Sequence, residues 1–112
     1  MFSPRDRVWY RIPRVLVDIG ADVSLVPRVL GAALLGRVRS KRRVNLGGVA
    51  PGARLTGYLH TLRLRVAGRD WRAPVVVASV DNVPVLLGRL GALDGFDVRF
   101  VRGRHMAFRS SR

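Results

Sequence analysis

The 112-residue chain contains no cysteine and no glutamate. Without thiols there is no disulfide scaffold, no thiolate metal site and no cysteine nucleophile, and a reducing compartment, the cytoplasm, is the expected location. Carboxylates come from seven aspartates alone. Long apolar runs are missing too. VLGAALLG and APVVVASV, eight residues each, fall far below the roughly 18 consecutive apolar residues that a spanning helix needs, so no membrane partner is expected. The opening MFSPRDRVWYRIPR interleaves charge with aromatics and has no apolar core ending in small residues, so it does not read as a secretory signal. His60 and His105 stand far apart with no second ligand at a recognised spacing, and neither metal nor cofactor is expected.

Basic charge is abundant. Twenty-one basic residues, all arginine except Lys41, face seven acids and give a net charge of +14. A field of that sign attracts nucleic acid, anionic headgroups and acidic proteins whatever the fold. The arginines are spread over the whole chain, however, and a base-composition bias in the source genome produces the same excess. Charge therefore permits a nucleic-acid partner without favouring one. The densest run, RVRSKRR over 37–43, holds five cations in seven residues and reads as a solvated loop or a strand edge that repels other edges.

The length fits one domain spanning 1–112, and an apolar fraction of 48% is enough for a core. Strand signals dominate. VWYRI and RVLVD are short β-branched and aromatic runs, while YLHTLRLRV over 58–66 alternates apolar residues with His60, Thr61, Arg63 and Arg65, giving a strand with one wet face. AGRD at 67–70 is a glycine turn and WRAPVVVAS returns, so 58–79 reads as a hairpin. VPVLLG over 83–88 suits a strand buried on both faces, and FDVRFV over 96–101 alternates again. Helix is confined to RVLGAALLG, entered at Pro27 and stopped at Gly36, and to one or two turns within GRLGALDG.

Few chemistries remain open. Ser24 lies in no G-x-S-x-G pattern, and GGVAPGAR lacks the Lys-Ser/Thr ending of a phosphate loop. GGVAPGARLTG over 47–57 has the composition of a mobile hairpin tip, either a lid over a ligand or an ordinary surface loop. Asp18 is the unusual residue. It follows Val15, Leu16 and Val17 and precedes Ile19 and Gly20, so burial in a strand would strip water from a carboxylate. It either closes the strand in an Asx-type turn by accepting backbone N–H groups, or it meets a partner that compensates for the burial. A second segment, PVLLGRLGALDGFDV, echoes the plan of VLVDIGADVSLVP: apolar strand, abrupt glycine turn, short helical stretch.

With DIGA early, a glycine-rich segment and a central hairpin between, and LLGR some 60 residues later, the chain resembles the retropepsin-like aspartic proteases, particularly their small bacterial relatives. That resemblance implies an all-β acid-protease barrel with one or two short helices and a glycine-rich flap hairpin. It implies a homodimer in which Asp18 of each copy forms a catalytic dyad that hydrolyses a peptide or protein substrate. It places peptide-binding backbone at Gly20, Ala21 and Asp22 and in a flap containing Gly47, Gly48 and Val49. Asp22 and Arg89 match positions that form a supporting ion pair, and Gly88 belongs to the same motif. Ile19 stands where the family has Thr or Ser, whose hydroxyl hydrogen-bonds across the dimer beneath the site. The alternative is a catalytically inactive module of the same fold that binds a peptide, an acidic partner or nucleic acid.

Overall fold

A computed structural model describes residues 1–47, 54–101 and 105–110. Among these residues the main sheet has six strands, in the order β3 (Leu16–Val17), β8 (Leu86–Leu87), β4 (Ser24–Val26), β7 (Arg69–Ala78), β6 (Arg54–Val66) and β5 (Arg43–Gly47), and curls into a half-barrel. Its longest pairing is the hairpin of β6 and β7, antiparallel from Val66↔Arg69 to Gly57↔Ala78. The turn residues Ala67 and Gly68 both have positive φ, 51° and 79°, as a two-residue turn requires if its twist is to match the strands it joins. Leu62 and Leu64 are buried while Thr61, Arg63 and Arg65 are exposed, so this strand has the expected wet face.

Strand β7 has no wet face beyond its first turn. Val75 and Val77 join one core cluster with Val26, Leu34, Leu62, Leu64, Leu87 and Leu93, whereas Val76 and Ala78 join another with Leu25. Alternate residues of a strand point to opposite sides, so β7 is covered on both, which its unbroken VVVA run allows. β5 (Arg43–Gly47) closes one edge by antiparallel pairing with β6.

One helix, α1 (Arg28–Leu35), joins β4 (Ser24–Val26) to β5. Pro27 is its N-cap, one position before the expected site, and Gly36 ends it in the left-handed conformation at φ 75°. Gly31 lies directly on the Val77 side chain, leaving no room for a Cβ and letting the helix sit close to the sheet. The second helical expectation reduces to a single 3-10 turn over Leu93–Gly95.

Several strands are shorter than their sequences suggest. VWYRI contributes only β2 (Val8–Trp9), which pairs with β1 (Phe2–Ser3) in a small separate sheet, and RVLVD only β3 (Leu16–Val17). VPVLLG contributes β8 (Leu86–Leu87), with Leu86 only half-buried. These runs have strand propensity, but ladder pairing covers two residues of each, and pairing decides the length. β9 (Phe96–Val101) spans the expected residues and pairs with β10 (His105–Ser110) as a separate two-stranded sheet.

No helix of the described residues is long and apolar enough to cross a membrane.

Candidate active site

The echo between the two glycine-bearing segments is spatial as well as sequential. β3 and β8 run side by side in parallel, Leu16 against Leu86 and Val17 against Leu87. β8 also pairs antiparallel with β4 through Leu25↔Leu86. It therefore lies between the strand that enters the Asp18 loop and the strand that leaves it.

Backbone hydrogen bonds carry that framing into the loop. The Asp18 N–H donates to the Leu87 carbonyl at 3.0 Å, and the Ala21 N–H closes a turn onto the Asp18 carbonyl at 3.2 Å. Arg89 N–H donates to the Ala21 carbonyl at 3.0 Å and Leu90 N–H to that of Asp22 at 2.8 Å. The loop is thus fastened at both ends to residues 87–90.

Gly88 and Ser24 make the crossing possible. A Cβ on Gly88 would stand 2.5 Å from the Val23 carbonyl oxygen, so only glycine allows the two backbones this approach. The Gly88 N–H, buried by that approach, donates to Ser24 Oγ at 3.0 Å, and Ser24 is itself fully buried. Sequence reasoning missed Ser24. Nothing in SLVP distinguishes it from any other strand serine, because its partner lies 64 residues away.

Asp18 is half-buried, not stripped of water as a strand interior would demand. The reason is local: β3 ends at Val17, so Asp18 already belongs to the turn. Its Oδ1 accepts the Gly20 N–H at 2.8 Å, the Asx-type contact that the D-x-G spacing allows. Oδ2 accepts no hydrogen bond among the described residues. Gly20 is exposed and Ala21 half-buried. Asp22 pairs through Oδ1 with the Arg89 guanidinium, which joins the two segments on the solvent side.

Ile19 does not fold back into the core. It is 53% exposed, and Leu16 and Leu90, at 52% and 58%, are exposed on the same pair of segments. These three residues leave apolar surface open beside the Asp18 loop.

Of the expected flap, Gly47 ends β5 opposite Arg54 and is exposed, while Gly48 and Val49 lie outside the described residues. A cavity of about 480 Å³ opens behind the site, with Trp9, Tyr10, Ile12, Val17, Leu64 and Leu87 among its walls. Asp18 does not line it. His60 is committed elsewhere, donating from Nε2 to the Val38 carbonyl at 2.7 Å. Among the described residues no three His, Asp or Glu side chains gather as a metal site.

Chemically, the loop offers one half-buried carboxylate with an oxygen unbonded among the described residues, exposed backbone at Gly20 and exposed apolar side chains beside it. One carboxylate can polarise a water; general acid and base work on an amide needs a second group. Comparison with protein-family models gives no match, and comparison with curated proteins gives none either.

Proposed function

We propose that the protein is a homodimeric aspartic endopeptidase of the retropepsin-like class, with Asp18 of each copy supplying half of the catalytic pair. The observation that carries this reading is the Asp18 loop itself. It is held by the β3-β8-β4 crossing with Oδ2 free, and is bordered by exposed Leu16, Ile19 and Leu90. A second copy related by a two-fold axis would cover those apolar residues and bring the two carboxyls together, in the commonest symmetry of soluble oligomers.

Two like charges about 3 Å apart cannot both ionise, so the pair would share one proton. The ionised carboxylate takes a proton from a water between the two, and that water's oxygen attacks the scissile carbonyl carbon. The protonated partner gives its proton to the carbonyl oxygen as the tetrahedral diol forms; the C–N bond then breaks as the first carboxyl passes the water's proton to the leaving nitrogen, and a diol hydroxyl returns a proton to the partner, restoring the one-proton pair. The Gly20 and Ala21 N–H groups and the Ala21 and Asp22 carbonyls are bonded within the framework, so an extended peptide would pair with the Gly20 carbonyl and the Asp22 N–H. Gly88, Ser24 and the Asp22–Arg89 pair hold that backbone in place.

Asp18→Asn is expected to lower peptide cleavage by at least roughly 100-fold, the low end for loss of a general base, while leaving the sedimentation profile dimeric. Full cleavage by Asp18→Asn, or a wild-type chain that stays monomeric at high concentration, would remove the dyad. A binding module without catalysis is the second reading, and Ile19 is the observation in its favour: it has no hydroxyl to link the two loops. A dimer that binds peptides and cleaves none would support it.

A further inference from the structure

The segment Arg37–Arg43 carries five cations in seven residues and no carboxylate. Protection of a sheet edge accounts for Arg43 alone, since β5 starts there and is the outer strand. Arg37, Arg39, Lys41 and Arg42 precede it in a loop. A merely solvated loop leaves its backbone to water, but this one is fastened to β6. His60 Nε2 donates to the Val38 carbonyl at 2.7 Å, Ser40 Oγ donates to the Leu59 carbonyl at 2.7 Å, and the Leu59 N–H donates to the Arg42 carbonyl at 2.8 Å. Ser40 Oγ also accepts the Arg42 N–H at 3.2 Å.

All five cations are exposed, and among the described residues none of them forms an ion pair. Holding like charges together on a fastened loop is electrostatically unfavourable, and a polyanion relieves it. Two features choose among polyanions. The segment has no exposed apolar side chain to enter a bilayer, because Val38 packs against the core. Four of its five cations are guanidinium groups, whose planar donor forks fit phosphate in pairs.

We propose that the 37–43 loop is a docking surface for the phosphodiester backbone of nucleic acid, read without sequence preference. The proposal stands apart from the protease reading and survives its failure.

The test is anisotropy of the full chain with a labelled DNA duplex of about 20 base pairs, with salt raised from roughly 50 to 200 mM. Five phosphate contacts predict a log-log slope near −4.5, an affinity loss of about 500-fold over that range. Arg39→Ser, Lys41→Ser and Arg42→Ser together are expected to bring the slope to about −1.8 and the loss to roughly 12-fold. The loop's fastenings use Ser40, His60 and backbone groups, so this variant keeps them. A control removing three exposed arginines elsewhere, Arg14→Ser, Arg28→Ser and Arg72→Ser, is expected to keep the wild-type slope within about one unit. A single-stranded RNA of similar length is expected to bind with a slope near −3.5. Equal slopes for the two triple variants would overturn the assignment, because net charge alone would then explain binding. So would capture by phosphatidylserine vesicles without binding to either nucleic acid.

Discussion

Ser24→Ala removes one oxygen atom from a fully buried position, and the structure sets what that does. Ser24 Oγ is the partner of the Gly88 N–H, which the close approach to Val23 shields from water. The substitution therefore leaves a buried donor unpaired, for which the penalty is about 1–3 kcal/mol, against about 0.5–1.5 kcal/mol for an ordinary hydrogen bond lost where water can substitute. For a chain of this length each kcal/mol corresponds to roughly 4 °C in Tm, so a drop of about 4–12 °C is expected. Ser79→Ala supplies the comparison. Ser79 Oγ donates to the Thr56 carbonyl at 2.8 Å, but that carbonyl also accepts the Ser79 N–H at 2.9 Å and keeps a partner when the hydroxyl is gone. Urea denaturation of both variants, with amide exchange read at Gly88, measures the difference. If the two serines prove equivalent, or the Gly88 amide keeps its protection in Ser24→Ala, then Ser24 does not hold the crossing and the account of the site framework is wrong.

Further outcomes follow from single contacts. Ala67 sits at φ 51° in the β6–β7 turn, where a Cβ is strained, so Ala67→Asn is expected to stabilise the fold by about 1 kcal/mol in urea denaturation; no gain would mean the turn relaxes freely. Tyr10 donates to Asp6 Oδ2, and that hydrogen bond, followed by burial, raises the phenol above its ordinary value of 10.0. The contact therefore stabilises the fold fully below that value and is lost as pH rises through the raised one. In Asp6→Asn the ultraviolet titration of Tyr10 should move down, and an unmoved midpoint would show that Asp6 is not the cause. The Asp22–Arg89 side chains are 84% and 56% exposed, so Arg89→Ala in the monomer is expected to lose under about 1 kcal/mol. A larger loss that grows with protein concentration would show the pair to be covered in an assembly.

The central hairpin and the helix were legible in the sequence because their signals are local. Leucine alternation from 58 to 66, a glycine in the turn, and Pro27 and Gly36 around an apolar run each act within a few residues. Strand lengths near the site were not legible. LVD and VLLG have the same propensity as longer strands, yet β3 and β8 stop at two residues because their ladder pairing stops there, Asp18 keeping one backbone bond to Leu87 as the chain turns. Asp18 stands out in the sequence, but its half-exposure depends on β3 ending at Val17, one residue earlier than its apolar neighbours imply. Ser24 illustrates the general limit, since its role exists only through a residue far along the chain. The basic run reads as a solvated loop or a strand edge, and the structure has most of it in a loop; its fastening to β6 is not legible, because hydrogen bonds from His60 and Ser40 carry no periodic signature.

The fastening of residues 18–22 by residues 87–90 also sets an order of events during synthesis. Ser24 and Gly88 are 64 residues apart, and Asp22 and Arg89 are 67. Contacts across such separations close late and slow the folding of a chain. A nascent polypeptide that has not yet reached residues 86–90 therefore has the acidic loop without the strand that shapes it, and whatever reactivity the loop acquires is withheld until that strand has been made.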